Sequence, residues 1–144
     1  MKKIQTRFGE IEFDPAKVIH FPEGLIGLDN LKDFLVIPNE KQGPLFWIQS
    51  VDDPAFAFPV TDPTNFFLDY AIAPDAEERK KLQIGEKDDC FVLSIVSVGE
   101  DKKITLNLSG PILYSPETHR ALQVILEDTT YSTKTPLPEV KNKE

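Results

Sequence analysis

Twelve prolines are spread through the 144 residues of this chain. Proline lacks the backbone N–H that a helix or a central strand needs, so long helices are excluded and short strands joined by turns are favoured. Period-two alternation agrees. Lys3–Phe8 and Glu10–Phe13 alternate polar with apolar residues around Gly9 and predict a hairpin. Strands are also expected over Val18–Phe21, Phe34–Ile37, Leu45–Val51, Ala55–Val60, Ile104–Leu108, Ile112–Tyr114 and Leu122–Leu126. Pro59 inside its run suggests an edge or a bulge. Cys90–Val98 is apolar on both faces, which predicts a central strand with Phe91, Leu93, Ile95 and Val96 in the core. Helical turns are expected over Leu28–Phe34, from Asp62-Pro63 to about Asp69, and from Asp75 onward with Glu78 in capping-box spacing. Glu77 and Lys81 stand four apart and can pair. The fold class is mainly β: a single-domain antiparallel β-barrel or sandwich with two or three short helices. Residues 1–137 form the expected domain, followed by a flexible tail over 138–144.

Net charge is −8 and the pI is about 4.8, which argues against direct binding to nucleic acid phosphate. No run of 18 apolar residues is present and the amino terminus does not resemble a signal peptide, so a cytosolic location is expected. Cys90 is the single cysteine, which leaves no internal disulfide and no thiolate metal cluster. His20 lies in an apolar run and His119 in a polar turn, and neither has a nucleophile motif beside it. Asp52-Asp53 and Asp88-Asp89 fit turn chemistry, and Asp62 with Asp69 lacks the spacing of a metal loop. No enzyme activity, cofactor or metal is therefore expected.

From Gln42 to Glu78 the chain runs 37 residues without Lys, Arg or His, yet carries seven carboxylates, Trp47 and five of the ten phenylalanines. Alternation sends about half of those aromatics inward, and the carboxylates remain as a surface of one sign, suited to a basic partner. The candidate contact residues are Gln49, Ser50, Asp52, Asp53, Asp62, Phe66, Asp69, Tyr70, Asp75 and Glu78. Phe66 and Phe67 are adjacent, so one of them or Tyr70 is expected at the surface, near Asp62 and Asp69. Tyr131 and Leu137 join the set through a tail that is mobile when free and adds a strand to a bound partner. A strand-rich core whose charges are merely solvated explains the same composition, as an acidic surface alone names no partner.

Six stretches, in order and in register, carry a resemblance. They are Thr6–Glu12, Phe21-Pro22-Glu23-Gly24-Leu25-Ile26-Gly27-Leu28, Ile48-Gln49-Ser50, Ala57–Pro63, Thr105–Ile112, and Gln123–Leu126 followed by Tyr131. Together they resemble the flagellar assembly factor FliW family from about residue 4 to residue 137. Ile26 and Leu28 stand where that family usually has Pro and Phe, Leu106 and Gly110 where it has Ala, and Ala121 where it has Gly. The resemblance implies a non-enzymatic protein that binds the translational repressor CsrA, a small basic RNA-binding dimer, and relieves its repression of flagellin messenger RNA. It also implies that flagellin binds and switches the partner, with the free protein a monomer. The competing class is a small-molecule-binding β-barrel or hydrolase, which a deep pocket with convergent polar groups would favour.

Overall fold

The structure is a computed structural model that describes residues 1–38, 44–127 and 130–138. The stretch 39–43, whose polar sequence reads as a loop, and the end of the expected tail, 139–144, lie outside the described residues. Alternating residues near the amino terminus form β1 (Lys2–Thr6) and β2 (Gly9–Phe13), an antiparallel hairpin with Thr6 opposite Gly9. Its turn is Arg7-Phe8, not Gly9 itself; Gly9 (φ +97) opens β2.

The remaining strands are β3 (Ile19–His20), β4 (Asp33–Pro38), β5 (Phe46–Ser50), β6 (Ala57–Thr61), β7 (Phe91–Val98), β8 (Ile104–Leu106), β9 (Ile112–Ser115), β10 (Arg120–Gln123) and β11 (Thr135–Pro136). Among the described residues one α-helix, α1 (Ala76–Leu82), and 3-10 turns at Pro15–Lys17 and Pro63–Asn65 complete the set. Pairing runs β11-β8-β7-β6-β5-β4-β3-β10-β9, and β9 returns to β7. The strands from β7 through β6, β5, β4, β3 and β10 to β9 therefore close a barrel, and closure removes the exposed edges an open sheet would carry. Strand β7 makes this possible by dividing one of its sides. Phe91–Leu93 pair with β9, whereas Val96–Val98 pair with β8, which leaves the barrel with β11 as a flap. All pairings are antiparallel except β3 with β10.

Three apolar clusters hold this arrangement. Ile19, Phe21, Leu25, Leu31, Phe34, Ile48, Val60, Ile112 and Ala121 fill the barrel. Phe21, Leu25 and Leu31 come from the segment between β3 and β4, so this segment is a plug. Tyr70, Val96, Leu106 and Leu108 lie under the flap, with Phe66, Phe67, Tyr131 and Leu137 packed against them. Leu82 of α1 meets Leu113 and Leu122 on the outer face of β9 and β10. Each fully buried Leu or Phe contributes roughly 1.5–3 kcal/mol by leaving water.

Five expectations need correction. Phe91 is 51% and Val98 63% exposed, so the central strand is covered only over its middle, where Ser94 and Val96 are buried. Strand β6 pairs with it only at Ser94 and Ile95, so both ends lack a neighbour on that side. Leu28–Phe34 forms no helix; a Leu25–Leu28 bridge and turns occupy the first half, and β4 starts at Asp33. The helix after Asp62 is a single 3-10 turn ending at Asn65. The strand expected over Leu122–Leu126 is β10, shifted to Arg120–Gln123. Pro59 is internal and faces Trp47 of β5, but the ladder between β6 and β7 begins only at Val60, so proline removes no bond on that side.

Candidate functional site

Leaving β6, the chain turns at Asp62, whose Oδ1 accepts bonds from Thr64 N–H (2.9 Å) and Thr64 Oγ1 (2.6 Å). Pro63 occupies the first position of the 3-10 turn, where its missing N–H costs nothing. Phe66 and Phe67 then fold down against the flap cluster, half-buried. Tyr70 N–H closes a turn onto Phe67 C=O at 2.9 Å, which puts Leu68 and Asp69 at its tip. Leu68 is 88% exposed and Asp69 is exposed. The apolar residue displayed here is thus Leu68, where one of the aromatics was expected.

Tyr70 is buried at 3% exposure, its hydroxyl donating to Leu108 C=O at 2.7 Å, its ring edge-on to Tyr131 at 5.0 Å. Burial, aided by Tyr131, pushes its phenol well above the ordinary tyrosine range, so it stays a neutral donor. Tyr70, Tyr131 and Leu137 therefore belong to the core under the flap and not to a free surface. The tail to Leu137 is not a loose arm, because Thr135 and Pro136 form β11 beside β8 and Leu137 N–H reaches Ile104 C=O at 3.4 Å.

Asp75 and Glu78 form a reciprocal capping box: Glu78 N–H donates to Asp75 Oδ1 at 2.8 Å and Asp75 N–H to Glu78 Oε1 at 2.9 Å. Lys81 at the far end of α1 reaches Glu23 at 2.8 Å and Glu77 at 3.7 Å, tying the helix to the plug. These ion pairs raise the pKa of its ammonium, the Glu23 bond being the largest cause.

Gln49 and Ser50 are fully buried. Gln49 Nε2 donates to the carbonyls of Ser50 (3.0 Å), Pro54 (2.9 Å) and Phe56 (3.1 Å), and Ser50 Oγ accepts Asp53 N–H at 3.0 Å. Both fasten the turn between β5 and β6, so neither side chain reaches a partner. Asp52 Oδ2 accepts the N–H groups of Lys32 (2.8 Å) and Asp33 (2.9 Å), and Asp53 Oδ1 that of Ala55 (3.1 Å). Asp52 and Asp53 precede β6 and Asp62 follows it, so about 13 Å of strand separates them. The single acidic face expected from the sequence is therefore split. Asp62, Asp69 and the Asp75–Glu78 helix start follow β6, whereas Asp52 and Asp53 brace the opposite end of the sheet.

His20 Nδ1 and Asp33 Oδ1 lie 2.8 Å apart above a shallow groove of about 310 Å³ that Lys2, Phe13 and Val18 help to line. Among the described residues no serine, threonine or cysteine hydroxyl or thiol bonds to His20. Burial pushes the pKa of the Cys90 thiol up, which disfavours the thiolate. Among the described residues no group of three metal-ligating side chains converges. Apolar side chains fill the barrel. The sequence reasoning passed over Ile26 and Ile125, exposed by 51% and 69%. The signal for Ile26 was its place between Gly24 and Gly27 in a turn.

The comparisons with known proteins agree with this architecture. The family described as "FliW protein" matches residues 2–137. The flagellar assembly factor FliW of Syntrophotalea carbinolica is 60% identical over 137 residues, covering 95% of this chain and 98% of that protein. Flagellar assembly factor FliW 2 of Desulfotalea psychrophila is 57% identical over 144 residues, covering 100% of this chain and 95% of that one. A crystal structure of the flagellar assembly factor FliW superposes with a TM-score of 0.87 at 31% identity, over 98% of this chain and 100% of the other. Matched by the family over residues 2–137 and similar in fold over 98% of its length, this chain belongs to the FliW family of flagellar assembly factors.

Proposed function

We propose that this chain works in the cytoplasm, without catalysing a reaction, by holding a CsrA-type translational repressor away from flagellin messenger RNA. Flagellin binds the same protein and so controls how much repressor is free. The observation that carries this reading is the exposed carboxylate set Asp62, Asp69 and Asp75 on a chain of net charge −8. None of the three has an ion-pair partner among the described residues. Unpaired surface carboxylates attract a basic protein over a Debye length of about 8–10 Å, speed encounter, and repel the RNA that competes for it. Loss of RNA affinity on binding is a coupling free energy, so RNA must weaken the protein–repressor complex by the same factor.

Titration of purified CsrA into this protein at two salt concentrations, with and without flagellin, tests the proposal. Binding that weakens with salt is expected, together with release of CsrA by flagellin. Asp62→Lys and Asp69→Lys should slow association and flatten the salt dependence. Failure of the wild-type protein to bind either partner would refute the reading; unchanged association in both variants would move the contact off this surface.

A further inference from the structure

Beyond Gln123 the chain stays extended and keeps pairing on one side. Val124 N–H donates to Pro111 C=O at 3.0 Å and Leu126 N–H to Ser109 C=O at 2.8 Å. Alternation along an antiparallel pair turns the N–H and C=O of Ile125 the other way. Among the described residues neither group has a hydrogen-bond partner. Strand β3 flanks this side of β10 but meets it only where His20 stands opposite Arg120, and then departs into the plug. The result is a short open edge at the mouth of an otherwise closed barrel.

The plug shapes this edge. Ile26 N–H donates to Gln123 Oε1 at 2.8 Å, and Gln123 Nε2 donates to Gly110 C=O at 2.9 Å. Gln123 thus holds the tip of the plug against β10. Ile125, two residues on, shares the face of Gln123 about 7 Å further along, so Ile125 and the side chain that holds the Ile26 N–H lie on one face of this extended segment. Their neighbours Leu25, Val124 and Leu126 all pack into the core clusters, whereas Ile26 and Ile125 face solvent. Two exposed isoleucines on a hydrogen-bonded frame beside unpaired backbone present what an added strand requires. Asp29 and Glu127, three residues after Ile26 and two after Ile125, are exposed and without an ion pair among the described residues.

We propose that the edge at Ile125, together with Ile26, receives an extended segment of a protein partner. That segment is apolar at alternate positions and carries a Lys or Arg near an apolar residue. The free backbone groups call for an extended chain, the isoleucines for apolar side chains, and Asp29 and Glu127 for the positive charge. A second copy of this chain is disfavoured, because each copy brings a net charge of −8. The proposal rests on the partner-holding role above and adds to it contact residues outside the Asp62–Asp69 turn.

The test compares wild type with Ile125→Pro, which deletes the free N–H but spares the bonds of Val124 and Leu126, with Ile26→Asp, and with Ile125→Val as a control that keeps the edge. Each is titrated with full-length CsrA and with flagellin, and amide exchange over residues 124–127 is followed in the free and bound protein. Ile125→Pro and Ile26→Asp are expected to weaken at least one partner by about tenfold or more, with Ile125→Val near wild type. The Ile125 amide is expected to exchange more slowly in that complex. Should Ile125→Pro fail to fold, Ile26→Asp and the exchange measurement decide. Wild-type affinities in both disruptive variants, or unchanged exchange, overturn the edge and leave the partner-holding role intact. A dimer that Ile125→Pro abolishes assigns the edge to a second copy and also overturns the proposal. A wild-type protein that binds neither partner removes both readings.

Discussion

Replacing Tyr70 by Phe deletes one oxygen from the cluster under the flap and leaves the ring edge against Tyr131 in place. The Leu108 carbonyl then loses the donor at 2.7 Å at a site closed to water, since Tyr70 is 3% exposed and Leu108 wholly buried. An orphaned buried acceptor costs about 1–3 kcal/mol, which for a chain of this size lowers the melting temperature by roughly 4–12 °C. A second signature separates this bond from general packing. Burial raises the Tyr70 pKa above its unfolded value of 10.0, so the unfolded chain loses the proton first as pH rises. The stabilisation is complete below pH 10 and declines above it, at most by about 1.4 kcal/mol per pH unit for one group. Tyr114 is shifted the same way by burial and keeps its own share of the decline in the variant. Thermal melts of both proteins from pH 7 to 11 read the two effects together. The expectation is a variant less stable at pH 7 whose deficit narrows above pH 10. Melting temperatures within about 1 °C at pH 7, with parallel alkaline profiles, would refute the reasoning.

Gly24→Ala should be strongly destabilising. Gly24 has φ +69, and an added Cβ would lie 2.6 Å from Asp29 Cα and Asp29 O, so the plug must move; a loss beyond about 1–2 kcal/mol by denaturant melt is expected. Deleting residues 133–144 should lower the melting temperature by several degrees, because it removes β11 and the packing of Leu137; an unchanged value would restore the view of the tail as a loose arm. Asp75→Ala removes the Oδ1 that accepts the Glu78 N–H in the capping box and should cost about 1 kcal/mol, read by denaturant melt, with the barrel retained in its circular dichroism spectrum.

How far the sequence could be read depended on the range of the interaction. The box at Asp75 and Glu78, the cap at Asp62 and the strand at Leu45–Val51 were legible because each is set within four or five residues. The helix expected at Leu28–Phe34 failed because Leu25 and Leu31 were drawn into the barrel, and their burial outweighed the small propensity for a turn of helix. For Gln49 and Ser50 the error had another origin. A polar side chain next to an acidic turn reads as surface, yet these two are consumed by the backbone groups of that turn.

By itself, then, the sequence determined that this protein would be short-stranded, mainly β, acidic and of FliW type. Proline spacing, alternation, charge and register of six motifs are properties of the linear chain, and no folding changes them. Tertiary structure alone decided which acidic residues share a surface, since β6 places Asp53 and Asp62 at its two ends. It also decided that Tyr70, Tyr131 and Leu137 meet in one core while Leu68, Ile26 and Ile125 face water. The reason is physical: exposure depends on what arrives from distant segments, and the closure of β9 onto β7 brings them together only once the barrel has formed.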